Sequence, residues 1–465
     1  MTDITVDLDT KSEGFVVSPT ERTSDFMAAF ISYGDLLAAF GNSDERANGY
    51  MIIESPTDLL ARLSTTYDTG WYIEDGLDED GETIYLNETP DKENEQLNPL
   101  RLNWPNGVDT NFNGTDPGIA KDFYSVLNYL QYGGKCFIAG APDNLPGTVN
   151  NAIETVKNAP NVINLIFTTT AGTENDTIID IAEKRGDCMA ICQVDVKEPL
   201  SSNPTPNGLP NGENQSKITF HVAGQKVHFG ISSTVTTEND TDSSLKTTGV
   251  AADVAGRISS VSASTTPYGS PAGTDSLLGV VKMEYDLTSS DREELAKSYV
   301  NQIRTFPEYG TVLFSDMTGN GARNVDDKVF NYANVALTYL HINRLVTSLI
   351  RPYMFIENNA SNRASLTSTL QTALRRVVAA GGLTSFTVIC DETNNPENIV
   401  LSNNLICDIT LGFVLTIQKI TLRFATSGGQ SSQSLATSSG SSSSGSSSGS
   451  SSSTSSTSSS GGSSY

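Results

Sequence analysis

DDKVFNYANVALTYLHINRLVTSLIR, residues 326–351, decides the architecture of this chain. Val329, Tyr332, Ala336, Tyr339, Leu340, Val346 and Leu349 recur every three or four residues, the spacing of one apolar face of an α-helix. Neither glycine nor proline interrupts the pattern before Pro352, so one long helix is expected, ended by that proline. A second helix over residues 361–380 carries Leu366, Leu370, Leu374 and Val377 and closes at Gly381 and Gly382. Strands are expected after it at 386–390, 405–411 and 417–424. Helices followed by strands predict two long helices packed on a mixed or antiparallel sheet.

Upstream, Ser290 and Glu293 have capping-box spacing for a helix carrying Leu295, Tyr299 and Ile303, and residues 311–314 read as a strand. Residues 217–231 read as a hairpin, because Ile218, Phe220 and Val222 alternate up to Gly224, and Val227, Phe229 and Ile231 alternate away from it. Residues 232–275, rich in Ser, Thr, Gly and Asp, read as exposed loops over a sheet edge. Apolar runs at 161–167 and 188–194 flank a helical stretch at 178–184, the order of a β-α-β unit. Before them a helix with Ala120, Phe123, Tyr124, Leu127 and Leu130 stops at Gly133 and Gly134 and feeds a strand at 136–139. Short strands are expected at 26–30 and 50–53, with a helix opening at Ser55 and Pro56.

The expected fold class is therefore α+β / α/β multidomain. Residues 1–24 form an extended arm, and 25–145 an N-terminal α/β part with an acidic insertion at 68–98. Residues 146–276 form a middle α/β domain and 277–424 the C-terminal domain. Residues 425–465, almost entirely Ser, Gly and Thr, have too few apolar side chains to offset the entropy of ordering and are expected to be disordered.

With 54 acidic and 29 basic side chains, the chain repels phosphate backbones, so nucleic acid is not an expected partner. Residues 68–98 hold eleven carboxylates against the single Lys92 and read as a solvated loop. Cys136, Cys188, Cys192, Cys390 and Cys407 are scattered along the chain and are expected as free thiols. Neither a signal peptide nor an apolar run of membrane-spanning length is evident, so synthesis and retention in a cytoplasm, without membrane insertion, are expected.

Motifs that carry chemistry are incomplete. Asp109, Asn111, Asn113 and Gly114 match the first half of a calcium loop, but Ala120 stands where a bidentate glutamate is required and Pro117 interrupts. Gly133-Gly134-Lys135-Cys136 lacks the earlier glycine and the magnesium-binding hydroxyl of a phosphate loop, and reads as a helix stop. His221 and His228 fall on opposite arms of the expected hairpin, His341 falls in a helix, and alternation along a strand accounts for Cys188 and Cys192. No catalytic, cofactor-binding or metal-binding residue is nominated, and no cofactor is expected.

The C-terminal third resembles a family. Asn301-Gln302-Ile303-Arg304-Thr305-Phe306-Pro307 leads into Gly310-Thr311-Val312-Leu313-Phe314-Ser315-Asp316, followed by Asn331-Tyr332-Ala333-Asn334-Val335 with Arg344 further along. Phe355-Ile356-Glu357-Asn358-Asn359 and Cys390-Asp391-Glu392-Thr393-Asn394-Asn395-Pro396 come next. In this order and spacing they are similar to the contractile tail sheath proteins of long-tailed phages and related injection machines. Ser315 replaces the family's glycine, and the "P-G-V-Y" opening of many sheaths is missing from residues 1–25.

The resemblance implies a structural subunit that stacks helically around an inner tail tube. Triggered by a baseplate, the stack contracts and drives the tube through a cell envelope to deliver genome or effectors. Implied partners are further copies of the chain, a tail tube protein, and baseplate and tail terminator proteins. The implied place is a virion tail or injection particle assembled in a host cytoplasm. Terminal arms of the family add strands to neighbouring subunits. The residues expected in that role here are Ile4, Val6 and Leu8 at one end and Ile420, Leu422 and Phe424 at the other. The alternatives are another tail or baseplate structural protein, or a tail-displayed hydrolase.

Overall fold

Strands apolar on both sides need cover on both sides, and they form the centre of this molecule. The computed structural model describes residues 26–32, 36–59, 61–62, 74–77, 83–85, 118–140, 146–211, 215–227, 247–264, 269–280, 282–323 and 328–417. The strands are β1 (Met27–Ser32), β2 (Tyr50–Ile53), β3 (Glu74–Leu77), β4 (Thr83–Tyr85), β5 (Lys135–Gly140), β6 (Leu165–Phe167) and β7 (Met189–Val194). They continue as β8 (Thr219–Ala223), β9 (Gln225–Val227), β10 (Thr247–Gly249), β11 (Val300–Phe306), β12 (Gly310–Leu313), β13 (Leu383–Ile389) and β14 (Asp408–Phe413).

An eight-stranded sheet runs in the order β12-β11-β8-β7-β6-β1-β5-β2. Its internal pairs are parallel, while the outermost pairs, β2 with β5 and β11 with β12, are antiparallel. Helices Gly118–Leu130 and Ala251–Ser264 pack together over its central strands, as do Pro146–Lys157 and Thr173–Arg185. These pairs form the two helical layers that parallel strands require. Phe30 stacks on Phe167 at 5.2 Å within this core. The sheet draws strands from all three segments between residues 25 and 424 that the sequence reading separates.

The C-terminal helices fall at Ala333–Ile350 and Ala360–Ala379, and β13 pairs antiparallel with β14 beside them. Ala333, Ala336, Leu337 and Leu340 belong to the large core. Ile342 and Val346, further along the same helix, belong to a second core with Leu366, Leu370, Leu374, Val377, Val388 and Ile409. The mixed α/β class, the β-α-β unit and the paired helices are as the sequence leads one to expect.

Several local expectations are corrected. Residues 217–231 do not form a hairpin: β8 lies between β7 and β11, parallel to both, and β9 pairs with β10 instead. Gly224, at φ +111°, makes the break, and every residue of β8 is buried, Thr219 and His221 included. Residues 228–231 lie outside the described residues. The 232–275 stretch, expected as loops, contains helix Ala251–Ser264, with Val250, Ala251, Val254, Ala255 and Ile258 buried.

The capping box is made by Thr288 and Asp291, not Ser290 and Glu293; the Asp291 N–H donates to Thr288 Oγ1 at 3.2 Å and the Thr288 N–H to Asp291 Oδ2 at 2.9 Å. Its helix ends at Lys297, and Ile303 lies in β11. The long helix starts at Ala333 rather than near 326, because Tyr332 is extended and the Ala333 N–H is taken by the Asp316 carbonyl at 2.8 Å. The acidic stretch is not all loop, since β3 and β4 form a short antiparallel pair within it.

Candidate assembly surface

The two C-terminal helices cover one face of the β13–β14 pair. Leu383, Val388 and Ile409 are buried there, while Thr387, Ile389, Asp408 and Thr410 face outward and are exposed. A sheet of two strands has two outer edges, and among the described residues neither carries another strand. Exposed apolar side chains surround the pair: Ile389, Leu401, Leu405, Val414 and Leu415, the last at 61% exposure. Ile4, Val6, Leu8, Ile420, Leu422 and Phe424 all lie outside the described residues, as do the calcium-loop positions 109–114.

The connection between the strands, residues 390–407, contains the short helix Glu397–Leu401 and is anchored at its ends by side-chain amides. Asn395, nearly fully buried, donates from Nδ2 to the carbonyls of Asp391 and Ile406, and its Oδ1 accepts the Ile406 N–H at 2.7 Å. Asn394 donates to the Ile389 carbonyl at 2.7 Å. With its backbone groups held by Asn395, Ile406 cannot join a ladder, and β14 begins at Asp408 rather than at the expected 405. Arg363 clamps this end by donating to Asn358 at 2.8 Å and to Glu392 at 3.0 Å.

Of the other residues that carry the family resemblance, Asn301 and Arg304 fasten parts of the large sheet, and Asn334 and Arg344 tie the long helix to its surroundings. Asn301, fully buried, donates to the carbonyls of His221 and Met317 and accepts the Met317 N–H. Arg304 lies over the rings of Phe306 and Phe314 at 5.2 and 4.6 Å. Buried Asn334 donates to the Val414 carbonyl at 3.1 Å, and buried Arg344 donates to the Asp187 carbonyl.

Residues considered for chemistry are placed without converging on a site. His221 faces Cys192 in register inside the sheet, and burial pushes its pKa down to about 4. Burial raises the thiol pKa values of Cys136, Cys188 and Cys192. His341 sits in helix Ala333–Ile350, and His228 lies outside the described residues. Among the described residues no three His, Cys, Asp or Glu side chains cluster as metal ligands. Gly133, at φ +90°, ends the helix before Lys135, which pairs with Glu54 at 3.1 Å.

Residues 325–427 match the family of the phage tail sheath C-terminal domain. Over part of its length this chain is similar to tail sheath proteins. It is 27% identical over 180 residues to a tail sheath protein of Vibrio phage KVP40, covering 38% of this chain and 26% of that one. It is 24% identical over 280 residues to the tail sheath protein of Enterobacteria phage T4, covering 57% of this chain and 41% of that one. The chain thus spans less than half the length of either relative. The contracted PVC sheath complex of an extracellular contractile injection system superposes with a TM-score of 0.59 at 16% identity, over 89% of this chain and 94% of that one. The contracted helical sheath of the anti-feeding prophage gives 0.56 at 15% identity, over 88% and 96%. At such identities the likeness is one of fold.

Proposed function

We propose that the chain is the structural subunit of a contractile tail sheath. It polymerises helically around an inner tail tube and contracts to drive the tube through the target envelope, delivering genome or effectors. One observation supports this reading above others: the stretch that matches the sheath C-terminal domain ends in a two-stranded sheet with both outer edges unpaired among the described residues. Free backbone N–H and C=O groups along such an edge accept an extended segment from another chain. When each copy gives a segment and receives one, the contact runs head to tail and builds a filament rather than a closed dimer.

The segments proposed to be exchanged are those around Ile4, Val6 and Leu8 and around Ile420, Leu422 and Phe424. The proposed partners are further copies of the chain, the tail tube protein, and baseplate and tail terminator proteins, in a tail assembled in a host cytoplasm. In this reading the chain catalyses no reaction, and the work of contraction is the free-energy difference between two packings of the same subunits. Negative-stain electron microscopy of the purified full-length chain tests it. Hollow cylinders are the expected result, and a protein that stays monomeric at every concentration overturns it.

A further inference from the structure

Cys390 follows the last residue of β13 and Cys407 precedes the first of β14. Ile389 pairs with Asp408, and one more step of the same antiparallel register sets Cys390 opposite Cys407. Antiparallel partners lie about 4.5–5.5 Å apart between Cα atoms, inside the roughly 4.4–6.8 Å that a disulfide spans. Both thiols are free. Cys390 is buried, whereas Cys407 is partly exposed and open to a small reagent. We propose that Cys390 and Cys407 form a reversible disulfide, a redox-sensitive clasp across the end of the β13–β14 pair, made by exchange with a low-molecular-weight disulfide.

The two thiols are shifted in opposite directions by their surroundings. The hydrogen bond from Cys407 is the main influence lowering the Cys390 pKa; burial opposes it, and the Arg363 charge and the Thr367 hydroxyl assist it. The Cys407 pKa moves the other way, raised first by its hydrogen bond to Cys390 and then by burial. In the first step one thiol of the pair, as its thiolate, attacks a disulfide RSSR, giving a protein mixed disulfide and RS⁻, which takes up the proton that thiol released. In the second the other cysteine, giving up its proton, attacks the protein sulfur of the mixed disulfide, forms the Cys390–Cys407 S–S bond and expels RS⁻, which takes up that proton. The protein loses two electrons and two protons, and RSSR becomes two RSH. The product fastens together the ends of the 391–406 connection that Asn394 and Asn395 anchor. This inference stands on the strand register and goes beyond the assembly reading.

The test equilibrates the full-length chain in glutathione buffers of increasing oxidised fraction, quenches with acid, alkylates after denaturation, and reads intact mass and peptide maps. The expected result is loss of two alkylatable thiols and a cross-linked peptide joining Cys390 to Cys407, while Cys136, Cys188 and Cys192 still alkylate. Cys407→Ser and Cys390→Ser each remove the cross-link. Alkylation of both thiols at the highest oxidised fraction overturns the proposal. A glutathione adduct that persists on Cys407 without closing does so too, as does a cross-link to any other cysteine. Because the cross-linked peptide is read on the unsubstituted chain, the result does not depend on how well a serine variant folds.

Discussion

The Lys226 ammonium donates to Asp253 Oδ2 at 2.6 Å inside the molecule, with side chains 1% and 0% exposed. It donates also to the Gly279 carbonyl at 3.0 Å, tying β9, the Ala251–Ser264 helix and the 279 loop together. Removing one partner leaves the other charge in the interior without compensation. Lys226→Met is expected to cost about 3–5 kcal/mol in urea unfolding. The double substitution with Asp253→Leu is expected to recover most of that loss. If the single and double variants are equally destabilised, the pair is not the cause.

Asp291 supplies a pH dependence of known sign. Burial acts to raise its pKa, but hydrogen bonds from Thr288, Tyr285 and the Leu200 N–H outweigh it and hold the carboxyl down to about 2. An unfolded Asp titrates near 3.9. Its stabilising contribution is therefore fully present above about pH 4 and is lost as the pH falls toward 2. Asp291→Asn is expected to be about 1 kcal/mol less stable than the unsubstituted chain at pH 6, the usual scale of a lost cap. The gap should close by pH 2 in denaturant melts, and a gap constant across that range would contradict the assignment.

On the proposed assembly surface, Val414→Lys together with Leu415→Lys places charge at two exposed apolar positions beyond β14. Surface changes of this kind shift monomer stability by no more than about 0.5 kcal/mol. The assembled fraction in sedimentation is expected to fall at least tenfold while thermal melting stays unchanged. Undiminished assembly removes this end of the hairpin from the interface.

Deletion of residues 1–10 addresses the other terminus. Long cylinders are expected to disappear while folded subunit remains, because the segment carrying Ile4, Val6 and Leu8 is proposed to reach a neighbour rather than its own core. Cylinders of full length from the truncated chain would rule out that linkage.

Legibility in the sequence followed the size of the side chains involved. The β-α-β unit was readable because runs such as 188–194 are continuous, apolar and bounded by turn residues. Helix Ala251–Ser264 was not, because Val254, Ile258 and Val261 on its core side are set among Ala, Ser and Gly. At Gly256 an added Cβ would lie 2.2 Å from the Tyr132 ring, so the smallness that hid the helix is what its packing requires. Lys226 in the core was equally hidden, since a charge is buried only by a partner that distance along the chain does not reveal. The start of the long helix was misplaced because Val329 and Tyr332 fit its period, yet the Asp316 carbonyl holds the chain open until Ala333. As for the candidate surface, the order of motifs identified the region. The free edges and the opposition of Cys390 to Cys407 emerge only once the strand register is known.

Helix Ala333–Ile350 is continuous from one hydrophobic core into the other. It acts as an axle fixed in both hubs. Nothing in its span offers glycine or proline at which a twist applied to the β13–β14 pair could dissipate. A twist applied to that pair is therefore passed to the eight-stranded sheet as well, and in the proposed assembly a subunit would turn as one gear rather than bend at a joint.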